Sequence, residues 1–149
     1  MKKSMIILFA FVAMPLWSQS KEDTLAIKKA VLDYVGGWAT GDVSRIESGV
    51  SPELSKRRVF AAGELIVVQD MSRSLLCASA AGNKPSVRMP DLTPGKPLLQ
   101  EVKILDIDGT NASIKTWNAK YGFFDYAHLS KAGGKWQIVN VLWDMSGKK

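Results

Sequence analysis

The 149 residues are 46% hydrophobic and 23% charged, a globular composition at a length that makes one domain with a substantial core. The formal net charge is +6, dispersed apart from Lys56-Arg57-Arg58 and a Lys148-Lys149 tail. With no basic stripe interleaved with aromatics, these charges read as a solvated surface, and no nucleic-acid partner is expected. Cys77 is the sole cysteine, which excludes an intramolecular disulfide and a cysteine-built metal site; beside Leu75 and Leu76 it reads as a buried, inert thiol.

Residues 1–20 have the pattern of an export signal. Lys2 and Lys3 form a positive start, Met5 to Trp17 is an apolar stretch too short to span a bilayer, and Ser18 and Ser20 place small residues before a cut after Ser20. No cysteine follows the apolar run to carry a lipid, so no stable membrane anchor is expected after signal removal. The expected location is periplasmic or secreted, with residues 21–149 as the single mature domain.

The first helix is expected over residues 22–40, where Ile27, Val31, Tyr34 and Trp38 share one face and Glu22 and Asp23 sit in the first turn. Gly36-Gly37 weakens this helix and signals close packing. Gly41 suits its end, and Asp42 caps a second helix over residues 43–49. Ser51-Pro52 reads as a further helix start. Two short strands follow at 56–60 and 64–68, joined near Gly63. Asp70 is the expected cap of a helix over 71–81, ended by Gly82.

Residues 82–98 contain Pro85, Pro90, Pro94 and Pro97, a long connection of the kind used as a lid, a binding loop or a disordered segment. The remainder reads as a four-stranded antiparallel meander: 99–107, a turn at Asp108-Gly109, 112–117, 121–131 and 135–144. Gly133-Gly134 separates the last two strands, which are rich in aromatic and β-branched residues. Helices first and strands last indicate an α+β fold, with N-terminal helices packed on one face of a strongly curved antiparallel sheet.

Several runs carry a family resemblance. They are Tyr34-Val-Gly-Gly-Trp38-Ala-Thr-Gly-Asp42, Arg57-Arg58-Val59, Asp125-Tyr126-Ala-His128-Leu129, and Gly134-Lys-Trp136-Gln-Ile138-Val-Asn140-Val-Leu-Trp143. Together, over about residues 23–144, they resemble the putative lumazine-binding family. That family belongs to the superfamily of nuclear transport factor two, ketosteroid isomerase, scytalone dehydratase and the SnoaL-like cyclases. The resemblance implies a cone-shaped fold with a pocket between the sheet and the first helix.

Tyr34 and Trp38 are candidates for the wall of such a pocket, with plain core packing as the alternative. His128 and Tyr126 are the candidate catalytic pair. They share one face of a strand, whereas Asp125 lies on the other, so His128 and Asp125 form a dyad only if a bulge intervenes. A base for that pair would be sought at Asp33 or Asp42. Arg57 and Arg58 point to opposite sides, and one is expected to reach an anionic ligand or a carboxylate such as Asp125 or Asp144. The ligand-binding set is Tyr34, Trp38, Arg58, Asp125, Tyr126, His128 and Trp143, with no metal and no cofactor expected.

The leading expectation is an exported domain that binds a small, partly apolar or aromatic ligand without clear catalytic residues and pairs as a homodimer through the sheet. The rivals are an isomerase or hydro-lyase resembling ketosteroid isomerase or scytalone dehydratase, and a cell-envelope interaction module.

Overall fold

The computed structural model describes residues 20–82, 100–118 and 121–145. The expected signal segment before Ser20 and nearly all of the proline-rich connection lie outside the described residues. The elements are α1 (Lys21–Thr40), α2 (Val43–Gly49), β1 (Val50–Ala62), β2 (Leu65–Met71), α3 (Arg73–Ala81), β3 (Gln100–Asp108), β4 (Asn111–Asn118), β5 (Phe123–Ala132) and β6 (Lys135–Met145). The strands form one six-stranded sheet in the order β2-β1-β6-β5-β4-β3. The expected meander is present as β3 to β6, and the β1–β2 hairpin extends it. The join is parallel, β1 beside β6, so the sheet is mixed where the sequence suggested antiparallel pairing throughout.

Helix α1 buries Ile27, Val31 and Tyr34 as its spacing predicts, and Trp38 packs half-buried against the same core. The core continues through Ile46, Leu54, Leu76, Ile114, Leu129, Ile138 and Val141, which places the helices on the inner face of the sheet. Asp42 caps α2 as expected, its carboxylate accepting from the Arg45 N–H at 3.1 Å. The helices meet closely: a Cβ at Gly37 would lie 2.8 Å from the Asp42 carbonyl oxygen, and one at Gly49 would overlap the Ala30 carbonyl oxygen.

Two helix starts are corrected. Ser51-Pro52 opens no helix but lies in β1, in the stretch between Val50 and Ser55 where the β1–β6 register shifts. Proline has no N–H to give to a ladder, and an irregular stretch demands none. Ser51 accepts locally from the Glu53 N–H at 3.2 Å. Farther on, α3 is capped by Ser72, whose hydroxyl accepts from the Leu75 N–H at 3.3 Å. Asp70 instead remains in β2 opposite Arg57.

The C-terminal hairpin turns at Gly133 and Gly134, with φ of 56° and 77°, the tight two-residue turn that glycine permits without a Cβ clash. Its ladder shifts register between His128 and Leu129, because His128 faces Asn140 and Leu129 faces Ile138. Val139 is the extra residue, a bulge in β6. Before it Trp136 and Ile138 are buried; after it Val141 is buried and Leu142 exposed. The bulge therefore reverses which β6 side chains face inward.

Asp23, in the first turn of α1, fastens the helix to this hairpin. Its carboxylate accepts from Lys131 Nζ at 2.8 Å, Trp136 Nε1 at 2.7 Å and Ser20 Oγ at 2.9 Å. These bonds, Lys131 first, lower its pKa from 3.8 to about 2. A carboxyl group held below its unfolded value stabilises the fold above that value and loses this contribution as pH falls through the folded one. Asp23→Asn is accordingly expected to lower Tm at neutral pH, with the deficit shrinking as pH is taken from about 4 to about 2; a deficit independent of pH would contradict this account. Gly49→Ala is expected to cost about 1–3 kcal/mol in a denaturant melt, since the clash is with backbone that cannot rotate away. An unchanged midpoint would show that α1 and α2 slide apart freely.

Candidate functional site

A cavity of about 510 Å³ opens between α1, α3 and the inner face of the sheet, within the range of roughly 300–1,000 Å³ usual for small-molecule sites. Aromatic rings build one part of its wall. Trp38 meets Tyr121 at 5.3 Å and Phe123 at 5.7 Å, both edge-on, and Tyr121 stacks on Phe123 at 6.2 Å. Val35, Leu76, Met71 and Met145 add aliphatic surface, and Gln69 and Ser79 are polar members. Trp143 joins the wall because the Val139 bulge has turned it inward.

Among the described residues, one charged side chain lines this cavity. Lys56 follows Leu54 on the inward register of β1 and is only 6% exposed. Its Nζ donates to Tyr34 Oη at 2.7 Å and to Asp125 Oδ1 at 3.0 Å, and stands 4.7 Å from the centre of the Trp143 ring. Tyr34 in turn donates to Asp125 Oδ1 at 3.3 Å. Asp125 is fully buried, and its Oδ2 has no hydrogen-bond partner among the described residues. Helix α1, β1 and β5 thus each contribute one member of a closed polar triad.

Burial dominates the electrostatics of the triad. It pushes the Asp125 carboxyl up, against the opposing pull of Lys56 and the Tyr34 hydroxyl. It pushes the Lys56 ammonium down, against the favourable charge of Asp125. It also raises the Tyr34 phenol, with Asp125 adding to the effect, so Tyr34 keeps its proton. Each shift favours a neutral group in a poorly solvated site.

Of the sequence-derived candidates, Tyr34, Trp38 and Trp143 line the cavity, and Asp125 is bonded to two of its lining residues. Arg58 is not a lining residue. It donates to Asp144 at 2.8 Å, holding that carboxyl below its usual range, and stands 5.2 Å from the Trp143 ring. His128 and Tyr126 lie outside the cavity altogether. β5 alternates strictly, burying Asp125, Ala127 and Leu129 and exposing Tyr126 and His128, so that pair faces outward from the sheet. The bulge that could have united His128 with Asp125 lies on β6 instead. His128 Nδ1 contacts the Asn140 side chain at 3.2 Å.

The suggested bases are also elsewhere. Asp33 bonds Lys29 and Arg45, and Asp42 caps α2. Lys56 was missed because it begins a basic cluster that reads as solvated surface. The available signal was alternation: Leu54, Lys56 and Arg58 share one face. Cys77 is half-buried, and desolvation raises its pKa, which favours the unreactive thiol. Among the described residues no three His, Cys, Asp or Glu side chains gather into a metal-binding group.

Solved structures share this architecture at low identity. An NTF2-like protein of unknown function from Silicibacter pomeroyi matches with TM-score 0.66 and 19% identity, over 83% of this chain and 96% of that one. A ketosteroid isomerase-like protein from Erwinia carotovora atroseptica matches at 0.55 and 15%, over 87% and 100%. A putative scytalone dehydratase from Novosphingobium aromaticivorans matches at 0.55 and 9%, over 84% and 85%. No curated protein matches the chain. The model of the putative lumazine-binding family matches residues 22–144, spanning α1 through Asp144 of β6 and so every element that builds the cavity, and the chain belongs to that family with an NTF2-like fold.

Proposed function

We propose that the protein binds a small, neutral, partly aromatic ligand in the cavity, with the Lys56 amine as its polar anchor. The observation that carries this reading is an apolar, aromatic-walled space with one buried cation whose charge is already matched by Asp125. A ligand carboxylate would add an unmatched charge to a desolvated site, which is costly. A carbonyl oxygen or ring nitrogen would accept a hydrogen bond from Lys56 at no such cost. The ring faces of Trp38, Phe123 and Trp143 suit a planar body. An isomerase or hydro-lyase built on His128 and Tyr126 lacks this support, because both side chains face away from the cavity.

The homodimer belongs to the same proposal. Leu142 and Tyr126, paired across β5 and β6, and the cross-strand pair Val59–Val68 are exposed on the outer face of the sheet, as is Trp117, and exposed apolar side chains on one sheet face suit a partner surface. The proposed export rests on the sequence pattern of residues 1–20. A cut after Ser20 would also remove the α1 cap and one of the three bonds to Asp23. We expect the chain to fold with that turn loosened, or the cut to fall one or two residues earlier.

Native mass spectrometry of protein isolated from its own host reads all three parts at once. The expected species is a dimer that begins near Ser20 and carries a small molecule; an unprocessed, empty monomer would contradict export, dimerisation and retention together. Leu142→Glu is expected to give monomers that still bind. Titration with 2-naphthamide, a neutral planar carbonyl compound, is expected to show saturable binding. Ser79→Phe, which projects a ring from α3 into the cavity, should weaken that binding by at least about tenfold with Tm held, roughly 1.4 kcal/mol of affinity. Equal binding by the filled variant would move the ligand elsewhere.

A further inference from the structure

We propose that Lys56 is an imine-forming amine, and that the cavity takes aldehydes and ketones with a planar apolar body and holds them covalently. The inference rests on the binding reading above and goes beyond it in assigning a reaction to the anchor.

Three features of the site support it. The first is position: among the described residues Lys56 is the sole lysine of the cavity wall, 6% exposed, and its Nζ lies against the Trp143 ring. A carbonyl compound seated in the cavity meets both the amine and the indole at its wall, which brings its carbon near Nζ. The second is the proton acceptor. An ammonium is not a nucleophile, and Asp125 Oδ1 at 3.0 Å is placed to take its proton. Burial acts in the needed direction on both partners, lowering the ammonium pKa and raising that of the carboxyl. Lysines desolvated in apolar pockets gain nucleophilicity in this way. The third is the relay. Tyr34 Oη touches both Nζ and Asp125 Oδ1, and it remains a phenol that can pass a proton between them.

The steps balance without an outside reagent. Lys56 gives one proton to Asp125, and the freed lone pair forms the C–N bond as the carbonyl π bond opens onto oxygen. A second nitrogen-bound proton moves to that oxygen through Tyr34, giving a neutral carbinolamine. Asp125 then returns its proton, through Tyr34, to the hydroxyl, which leaves as water while the nitrogen lone pair closes the C=N bond. The product is a protonated imine at Lys56 facing the Asp125 carboxylate, with the charge count of the starting pair. The iminium keeps one N–H, and Asp125 Oδ1 is the acceptor at hand. Nothing in this scheme uses His128, Tyr126 or a metal.

The test is reductive trapping. The protein is incubated with 2-naphthaldehyde and sodium cyanoborohydride, and adducts of the aldehyde mass less one oxygen are located by peptide mapping. The expected result is stoichiometric modification of Lys56 at a rate at least about tenfold above any surface lysine, suppressed by excess 2-naphthamide, which occupies the cavity but forms no imine. Lys56→Arg keeps the positive charge but offers no imine-forming amine, and is expected to lose the selective adduct. Should that variant fail to fold, protection by the amide in the unaltered protein still places the adduct in the cavity. Amide binding without selective trapping at Lys56 would overturn the imine inference and leave the binding reading standing. If neither probe engages the cavity, both fall.

Discussion

The buried contact among Tyr34, Lys56 and Asp125 ties helix α1 to two separate strands of the sheet. Its members come from α1, β1 and β5, and β6 lies between β1 and β5 in the sheet. Lys56 therefore reaches across β6 on the inner face to find its carboxylate. Removing one partner of such a buried pair typically costs about 3–5 kcal/mol, whereas apolar replacement of the whole group is often neutral or better. The triad is thus a poor device for stability. What it does supply is orientation: the Tyr34 ring is pinned by its hydroxyl, which sets the rotation of α1 over the sheet and keeps the space beside it open.

The Val139 bulge makes the second decision. In an unbroken β6, alternation would carry Trp136 and Ile138 inward and continue with Asn140 and Leu142, leaving Trp143 outside. One extra residue reverses the phase, so Val141 fills the core and Trp143 reaches the cavity. Lys56 consequently meets the face of an indole, where a cation is attracted by the ring quadrupole, and Leu142 becomes part of the outer apolar surface. Both the pocket and the proposed pairing face depend on this residue.

The sequence displayed the architecture well because periodicity and turn chemistry are local. The face of Ile27, Val31 and Tyr34, the Asp42 cap, the Gly133-Gly134 turn and the meander need no knowledge of distant partners. Ser51-Pro52 misled because serine and proline serve an irregular strand as readily as a helix start, and the parallel partner that decides the matter lies more than eighty residues away. At the site, strand alternation alone separated Asp125 from Tyr126 and His128 correctly, but it could not say which face was the inner one. That depends on where α1 packs. Lys56 was hidden for a related reason: its partner, Asp125, is sixty-nine residues distant, and alternation places it on the face of Leu54 without saying that this face is the inner one.

The electrostatics of β1 follow from the same geometry. Its three consecutive basic residues look like a patch, yet alternation and three different partners disperse them. Lys56 turns inward to Asp125 on β5, Arg57 turns outward to Asp70 on β2, and Arg58 turns back to Asp144 on β6. The exposed Arg57 pair, at 3.6 Å and open to solvent, contributes little. The Arg58 pair stands beside Trp143 outside the lining. Of the three pairs only that of Lys56 touches the cavity, and there it leaves the interior with no net formal charge. A strand that suggests anion binding in one dimension therefore sets its one cavity-lining charge against a carboxylate in three, and the proposed preference for uncharged ligands rests on that cancellation.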